Sequence, residues 1–256
     1  MTILALDSSA AVATVAITRD GRLLAEYTLN NGNTHSETLL PMAELLLSHL
    51  GLTVSDMDLF AATSGPGSFT GVRIGVATVK GLAFASDKPC VEVSTLEAIA
   101  ENLRLCPGLI CPVMNARRSQ VYTALFRSDG ETLTRLMPDS ALSIAELDEL
   151  LAIYGEPVRF VGDGYEITLR ALEKTKVLPV PERLRHQSAA SVASVAERAY
   201  AGGLAGTDRS MAVHYLRLSQ AERERLEKEK IKIINHKSKE NCYETCYRMR
   251  SRGICH

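Results

Sequence analysis

Residues 3–29 read ILALDSSAAVATVAITRDGRLLAEYTL, and residues 110–136 read ICPVMNARRSQVYTALFRSDGETLTRL. In each, an apolar, β-prone run ends at a small polar residue, Asp7 or Asn115. A turn follows, then a second apolar run (about Val12–Thr18 and Gln120–Arg127), then Asp-Gly and a third run. Asp20-Gly21 and Asp129-Gly130 are strong hairpin signals, because tight turns that match strand twist need positive φ. The offset is 108 residues from Asp7 to Asn115 and 109 from Gly21 to Gly130. Each triplet is followed by a helical stretch, TLLPMAELLLSHLG or SIAELDELLAIYG. A further strand and a Gly-rich turn come next, DLFAATSGPG or PVRFVGDG, and then more helical sequence. The order β-β-β-α-β-α occurs twice, which predicts an internal duplication.

Two such units facing each other across a cleft describe an α/β fold of two domains, the actin-like ATPase (ASKHA) architecture. The expected division is 1–103, 104–208, a C-terminal helix over 209–230, and an extra tail over 231–256. In that architecture the turn after the first strand of each half touches nucleotide phosphates. By this analogy Asp7, Ser8 and Ser9 are candidate nucleotide contacts, and Gly65 and Gly67 of the glycine-rich loop are further candidates as amide donors.

The residues argue against a working phosphate-transfer site. Such chemistry needs carboxylates to hold a divalent metal. Asp7 is one, but its counterpart Asn115 is neutral. Asp163, in Gly-Asp-Gly, is a spare carboxylate and equally a turn residue. The stretch SGPGSFTGVRIG (64–75) is not a Walker A loop, since no Gly-Lys-Ser/Thr follows, and its glycine spacing is wrong for a dinucleotide fingerprint. Gly65, Gly67 and Gly71 either offer amides to an anion or permit a cramped strand-to-helix turn. No histidine pair in the body has helical metal-ligand spacing. In the tail, His236, Cys242, Cys246, Cys255 and His256 match no familiar zinc module. No metal site and no catalytic residue is assigned.

Composition bounds the partners. The chain has 256 residues and a formal net charge of -1. Without a basic excess it is not expected to hold a nucleic acid by itself, since phosphate contacts supply most of that affinity. The start has no basic n-region and Asp7 interrupts its apolar run, so it does not read as a signal peptide. No apolar stretch is long enough to span a bilayer. Cys90, Cys106 and Cys111 have apolar surroundings and read as reduced core thiols. The expectation is a cytoplasmic protein with no membrane contact.

Two helices carry unusual apolar surface. The first runs from about Thr34 to Leu50, with Thr34 and Glu37 fitting a capping box and Gly51 fitting its end. Its apolar arc covers roughly 220°, against the ~100° a core-facing helix needs. Leu39, Ala43, Leu46 and Leu50 share the central direction and are expected to face the chain's own sheet. Met42 and Leu45, with His49, lie to one side and are expected to face a partner. The second helix, about Gly71–Ala85, lines up Gly71, Gly75, Thr78 and Ala85 on one side, small residues that would let another backbone approach.

The stretches ILALDSSAAVATVAI, HSETLLPMAELLLSHLGL, SGPGSFTGVRIGVATVKGLAF and YLRLSQAERE together resemble the TsaB (YeaZ) family of tRNA threonylcarbamoyladenosine biosynthesis proteins. The resemblance covers roughly residues 1 to 226. It implies a non-catalytic scaffold in a complex that places a threonylcarbamoyl group on the adenosine beside the anticodon of tRNAs reading codons that begin with A. It implies a heterodimer with a catalytic paralogue, TsaD, an ATPase partner, TsaE, and tRNA engaged through the complex. A homodimer is the expectation when the paralogue is absent. ATP and a divalent metal would belong to the partner subunits, with no cofactor on this chain. The paralogue's metal-binding histidines fall here at Thr95 and Ile99, which cannot replace them. The two helices, with Leu39, Met42, Leu45, Leu46, His49, Gly71, Gly75 and Thr78, look like the family's dimerisation face. Asn115 departs from the family's usual Asp. The competing readings are an active ATP-dependent enzyme of the same fold, such as a kinase or ATPase, and a metallopeptidase-like protein.

Overall fold

The computed structural model describes residues 1–32 and 34–217. Residues 218–230 of the expected C-terminal helix, and the tail cysteines and histidines, lie outside the described residues. The chain opens with β1 (Thr2–Asp7), β2 (Ala13–Arg19) and β3 (Arg22–Leu29). Asp20 and Gly21 have φ of 51° and 73°, so both central positions of this two-residue turn take the left-handed conformation it requires. There follow α1 (His35–Leu50), β4 (Leu59–Gly65), α2 (Phe69–Ser86), β5 (Cys90–Ser94) and α3 (Thr95–Glu101).

The second half repeats this order. β6 (Gly108–Asn115), β7 (Gln120–Ser128) and β8 (Leu133–Ser143) form antiparallel pairs. α4 (Ile144–Ala152), β9 (Val158–Val161), α5 (Tyr165–Leu169) and the short β10 (Val177–Leu178) follow. The first sheet has the order β3-β2-β1-β4-β5 and the second β8-β7-β6-β9-β10. Element by element the orders coincide, with β1 on β4 and β6 on β9 parallel. The structure therefore carries the duplication read from the sequence, and with it the actin-like α/β fold.

β1 is buried along its whole length. Its side chains alternate: Leu4 and Leu6 pack under α1 and α2, whereas Ile3 and Ala5 pack on the other face. That other face is covered by α6 (Ala189–Ala201), through Val192, Ala193, Val195 and Ala196. α6 falls in the stretch expected to belong to the second half, yet its buried side packs on the first sheet. Glu101 at the end of α3 anchors it, accepting two hydrogen bonds from Arg198, at 2.9 and 2.8 Å. After α6 the chain crosses back. Gly206 bridges Cys90, the His214 amide donates to the Ser64 carbonyl at 2.8 Å, and Tyr215 stacks on Phe69 with ring centroids 4.3 Å apart. Residues 209–217 of the expected 209–230 helix thus form a non-helical strap, fixed by these contacts.

Two local expectations are corrected. Thr34 is the N-cap of α1 but its side chain caps nothing, so the Thr34–Glu37 capping box does not form. The second Asp-Gly turn is wider than the first, because Asp129 Oδ1 accepts the amides of both Glu131 and Thr132 and holds a four-residue loop. Gly51 ends α1 at φ 63° as expected. Among the described residues no helix is long and apolar enough to cross a membrane.

Candidate functional site

The turns that end β1 and β6 are built alike. The Ser9 amide donates to Asp7 Oδ1 at 2.7 Å, and the Arg117 amide donates to Asn115 Oδ1 at 2.8 Å. Each is an Asx turn, in which a short polar side chain fixes the backbone two residues on. What surrounds the two turns is not alike.

The first turn is closed by the glycine-rich loop. The Ser68 amide donates to the Ser9 carbonyl at 2.6 Å, and Ser8 Oγ donates to the Gly71 carbonyl at 2.9 Å. A Cβ at Gly71 would stand 2.0 Å from the Ser8 carbonyl oxygen, and one at Gly67 2.5 Å from that of Ser9. A Cβ at Gly75 would stand 2.7 Å from Ser8 Oγ. These glycines bring α2 against the chain's own backbone. The strap seals the remaining side: Gly65, at φ 123°, has no room for a Cβ because the His214 carbonyl oxygen would be 2.3 Å away. Asp7, Ser8 and Ser9 are consequently buried. Burial pushes the Asp7 carboxyl above its ordinary range, and the Ser9 amide opposes part of that rise.

Polar atoms remain unpartnered at this edge: Asp7 Oδ2, Ser9 Oγ, His35 Nδ1 and Thr95 Oγ1, among the described residues. His35 Nε2 lies 2.7 Å from the Ala10 carbonyl, which only accepts, so Nε2 donates there, and Nδ1 is buried. A nucleotide and its metal, which the actin-like fold implies, do not fit this turn. Gly67 and Gly71 pack on the Ser9 and Ser8 carbonyls, so the loop closes on the chain's own backbone. Thr95 and Ile99 are both fully buried.

The second turn is open. Gly162 and Gly164 pack on the Val113 carbonyl, while Asn115 and residues 117–119 are exposed and Ala116 is half-buried. Arg117, Arg118 and Ser119 are exposed and adopt φ of 62°, 53° and 56°. The Asn115 amide donates to Asp163 Oδ1 at 3.0 Å. Asp163 reaches solvent but is hemmed in by protein, which pushes its carboxyl up, with the Asn115 amide opposing.

The outer surface of α1 and α2 corrects the expected partner face. Leu39, Met42, Ala43, Leu46 and Leu47 are buried in the chain's own core. Met42 sits near the direction of Leu46 and α1 sinks far enough to cover it, so it cannot face a partner. Gly71 and Gly75 point inward onto Ser8, not outward. Leu45 is 50% exposed, Leu40 43% and Phe84 73%. His49 is exposed and bonds Tyr27, and Thr78 is half-buried and bonds the Ile74 carbonyl. Of the expected set only Ala85 is exposed, beside Ala77 and Gly81.

Fold and turns together define an actin-like α/β protein in which one of the two duplicated turns is closed from within. Residues 22–224 match the family model "TsaD: tRNA N6-adenosine threonylcarbamoyltransferase". The tRNA threonylcarbamoyladenosine biosynthesis protein TsaB of Bacillus subtilis (strain 168) is 33% identical over 90% of this chain and 100% of its own length. That of Escherichia coli (strain K12) is 35% identical over 65% of this chain and 73% of its own. A solved structure, YeaZ from Pseudomonas aeruginosa, matches with a TM-score of 0.72 at 30% identity, covering 84% of this chain and 99% of that one. The chain belongs to the TsaB (YeaZ) family of tRNA threonylcarbamoyladenosine biosynthesis proteins.

Sequence reasoning placed Asp7, Ser8, Ser9, Gly65 and Gly67 together, and the structure brings them together. It missed the strap. The YLRLSQ stretch was visible as a motif, but nothing in its composition told that Tyr215 stacks on Phe69 or that Arg73 donates to the Tyr215 hydroxyl at 2.6 Å.

Proposed function

We propose that this chain is a non-catalytic scaffold subunit of the complex that transfers the threonylcarbamoyl group to adenosine beside the anticodon of tRNAs reading codons that begin with A. It acts with a TsaD-like catalytic paralogue and a TsaE-like ATPase, and ATP and the divalent metal are held by those partners. The observation that carries this reading is the closed first turn. The frame of a nucleotide-binding fold is kept, but the glycine loop packs on Ser8 and Ser9 of the chain's own turn, which supports a turn without a nucleotide. The exposed Leu40, Leu45 and Phe84 on α1 and α2 support these helices as the partner face. Gly81 supports it too: a Cβ there would meet nothing within 4 Å, so the helix interior carries a glycine its own fold does not need.

The test is reconstitution with purified TsaD-like and TsaE-like proteins, ATP, the threonylcarbamoyl donor and unmodified tRNA. Modification should need this chain and should persist in its Asp7→Asn variant. Full modification without the chain, or loss with Asp7→Asn while the complex still assembles, would overturn the reading.

A further inference from the structure

The two duplicated turns have diverged in a way the scaffold reading does not use. The first is buried and covered by α2. The second presents Arg117 and Arg118 to solvent with no ion pair for either among the described residues. By contrast Arg104, Arg127, Arg135, Arg185 and Arg198 are all held by carboxylates. The backbone adds to the contrast. Arg117, Arg118 and Ser119 all lie in the left-handed region, which non-glycine residues occupy only when their surroundings impose it. Here the constraints are visible: Asn115 Oδ1 holds the Arg117 amide, the Gln120 amide donates to the Arg117 carbonyl at 3.2 Å, and the Ile144 amide donates to the Ser119 carbonyl. The amides of Arg118 and Ser119 have no acceptor among the described residues. Two guanidinium groups without an ion pair and two amides without an acceptor, among the described residues, therefore belong to one exposed turn.

We infer that the turn at residues 116–119 binds the phosphodiester backbone of RNA, a reading that rests on the proposed role in tRNA modification. Guanidinium groups and backbone amides both suit phosphate oxygens. The turn is open, without the enclosed slot that a nucleobase and its metal-bound phosphates would need, and this favours an extended polyanion over a free nucleotide. The Asp163 carboxylate beneath Asn115 also disfavours a compact triphosphate. The net charge of -1 leaves the chain too weak to hold RNA alone, so the turn contributes within the complex, beside the catalytic subunit.

The experiment measures tRNA binding to the complex of this chain with its TsaD-like paralogue, across a salt series, for the native chain, for Arg117→Gln/Arg118→Gln, and for Arg22→Gln as an exposed arginine on β3 of the first sheet. The double variant should bind tRNA roughly tenfold more weakly at moderate salt. The magnitude of its log–log salt slope should fall by about 1.5, since each phosphate contact contributes about 0.7–0.9. Arg22→Gln should change neither. Affinity for the paralogue, measured without RNA, should be unchanged, as should thermal melting of the free chain. Unchanged tRNA affinity in the double variant overturns the inference. So does an equal loss with Arg22→Gln, a loss of paralogue affinity, or weakened binding of ATP in place of tRNA. If the native complex itself neither binds nor modifies tRNA, the functional reading fails first, and the two failures are thereby told apart.

Discussion

At Asp7 a fully buried carboxyl accepts one backbone amide through Oδ1, while Oδ2 has no partner among the described residues. The charged form is penalised there and the pKa is raised by burial. The sign of its effect on stability follows from linkage. Below the unfolded value, 3.8, both folded and unfolded chains are protonated and the site costs nothing. As pH rises past 3.8 the unfolded chain ionises first and the folded state loses stability, until the folded pKa is passed. Asp7→Asn keeps the acceptor for the Ser9 amide and removes the titration. Relative to the native chain, the Asn variant should gain stability between acid and neutral pH, and the gap should close below about pH 4. Denaturant unfolding of both proteins from acid to neutral pH checks this. Parallel curves would show that the site is hydrated and Asp7 ionises freely. Sequence alone placed Asp7 at the end of β1 and could not tell its burial, because that depends on what Gly67, Gly71 and the strap do from elsewhere in the chain.

Along α1 the wheel identified the inward direction, and Leu39, Ala43 and Leu46 are buried as that direction requires. What it could not give was depth. A helix that sinks between an edge strand and a neighbouring helix covers more of its arc than one face, and Met42 and Leu47 are covered in this way. The same limit explains the glycines of α2: spacing reveals that a backbone comes close, but not whose. For the hairpins the sequence was more legible, because Asp20-Gly21 encodes its turn locally. The element-scale prediction separates the two faces of α1. Leu46 is fully buried, so Leu46→Glu should unfold or strongly destabilise the free chain, since a charge in the core adds a desolvation cost to the lost packing. Leu45 is half-exposed, so Leu45→Glu should leave the free chain's melting temperature nearly unchanged and weaken the complex with the paralogue by at least about tenfold. Thermal melting of each free variant, paired with titration against the paralogue, reads both effects. Unimpaired binding by Leu45→Glu would remove this edge of α1 from the partner face.

Across the whole molecule, duplication explains both what is retained and what is lost. Two sheets of the same strand order keep the turns after β1 and β6 in equivalent positions, and α6 with the strap ties the second half back to the first. Hydrolysis of ATP needs both turns at once: amides and a metal-holding carboxylate converging on one chain of phosphates. Here the first turn is occupied by its own loop, and the second offers Asn115 where a carboxylate would be needed. The isolated chain should therefore show no ATP turnover at an enzymatic rate, on the order of 1 per second or more. The measurement is phosphate release from ATP with magnesium by the purified chain, alongside its Asp7→Asn variant to exclude a contaminating ATPase. Turnover at that rate, abolished by Asp7→Asn, would mean that the glycine loop and strap open in solution and that the closed turn is a resting state. Residual release equal in both proteins belongs to a contaminant and leaves the prediction standing. If instead turnover appears only when the paralogue is added and survives Asp7→Asn, the chemistry lies in the partner, as a closed first turn requires.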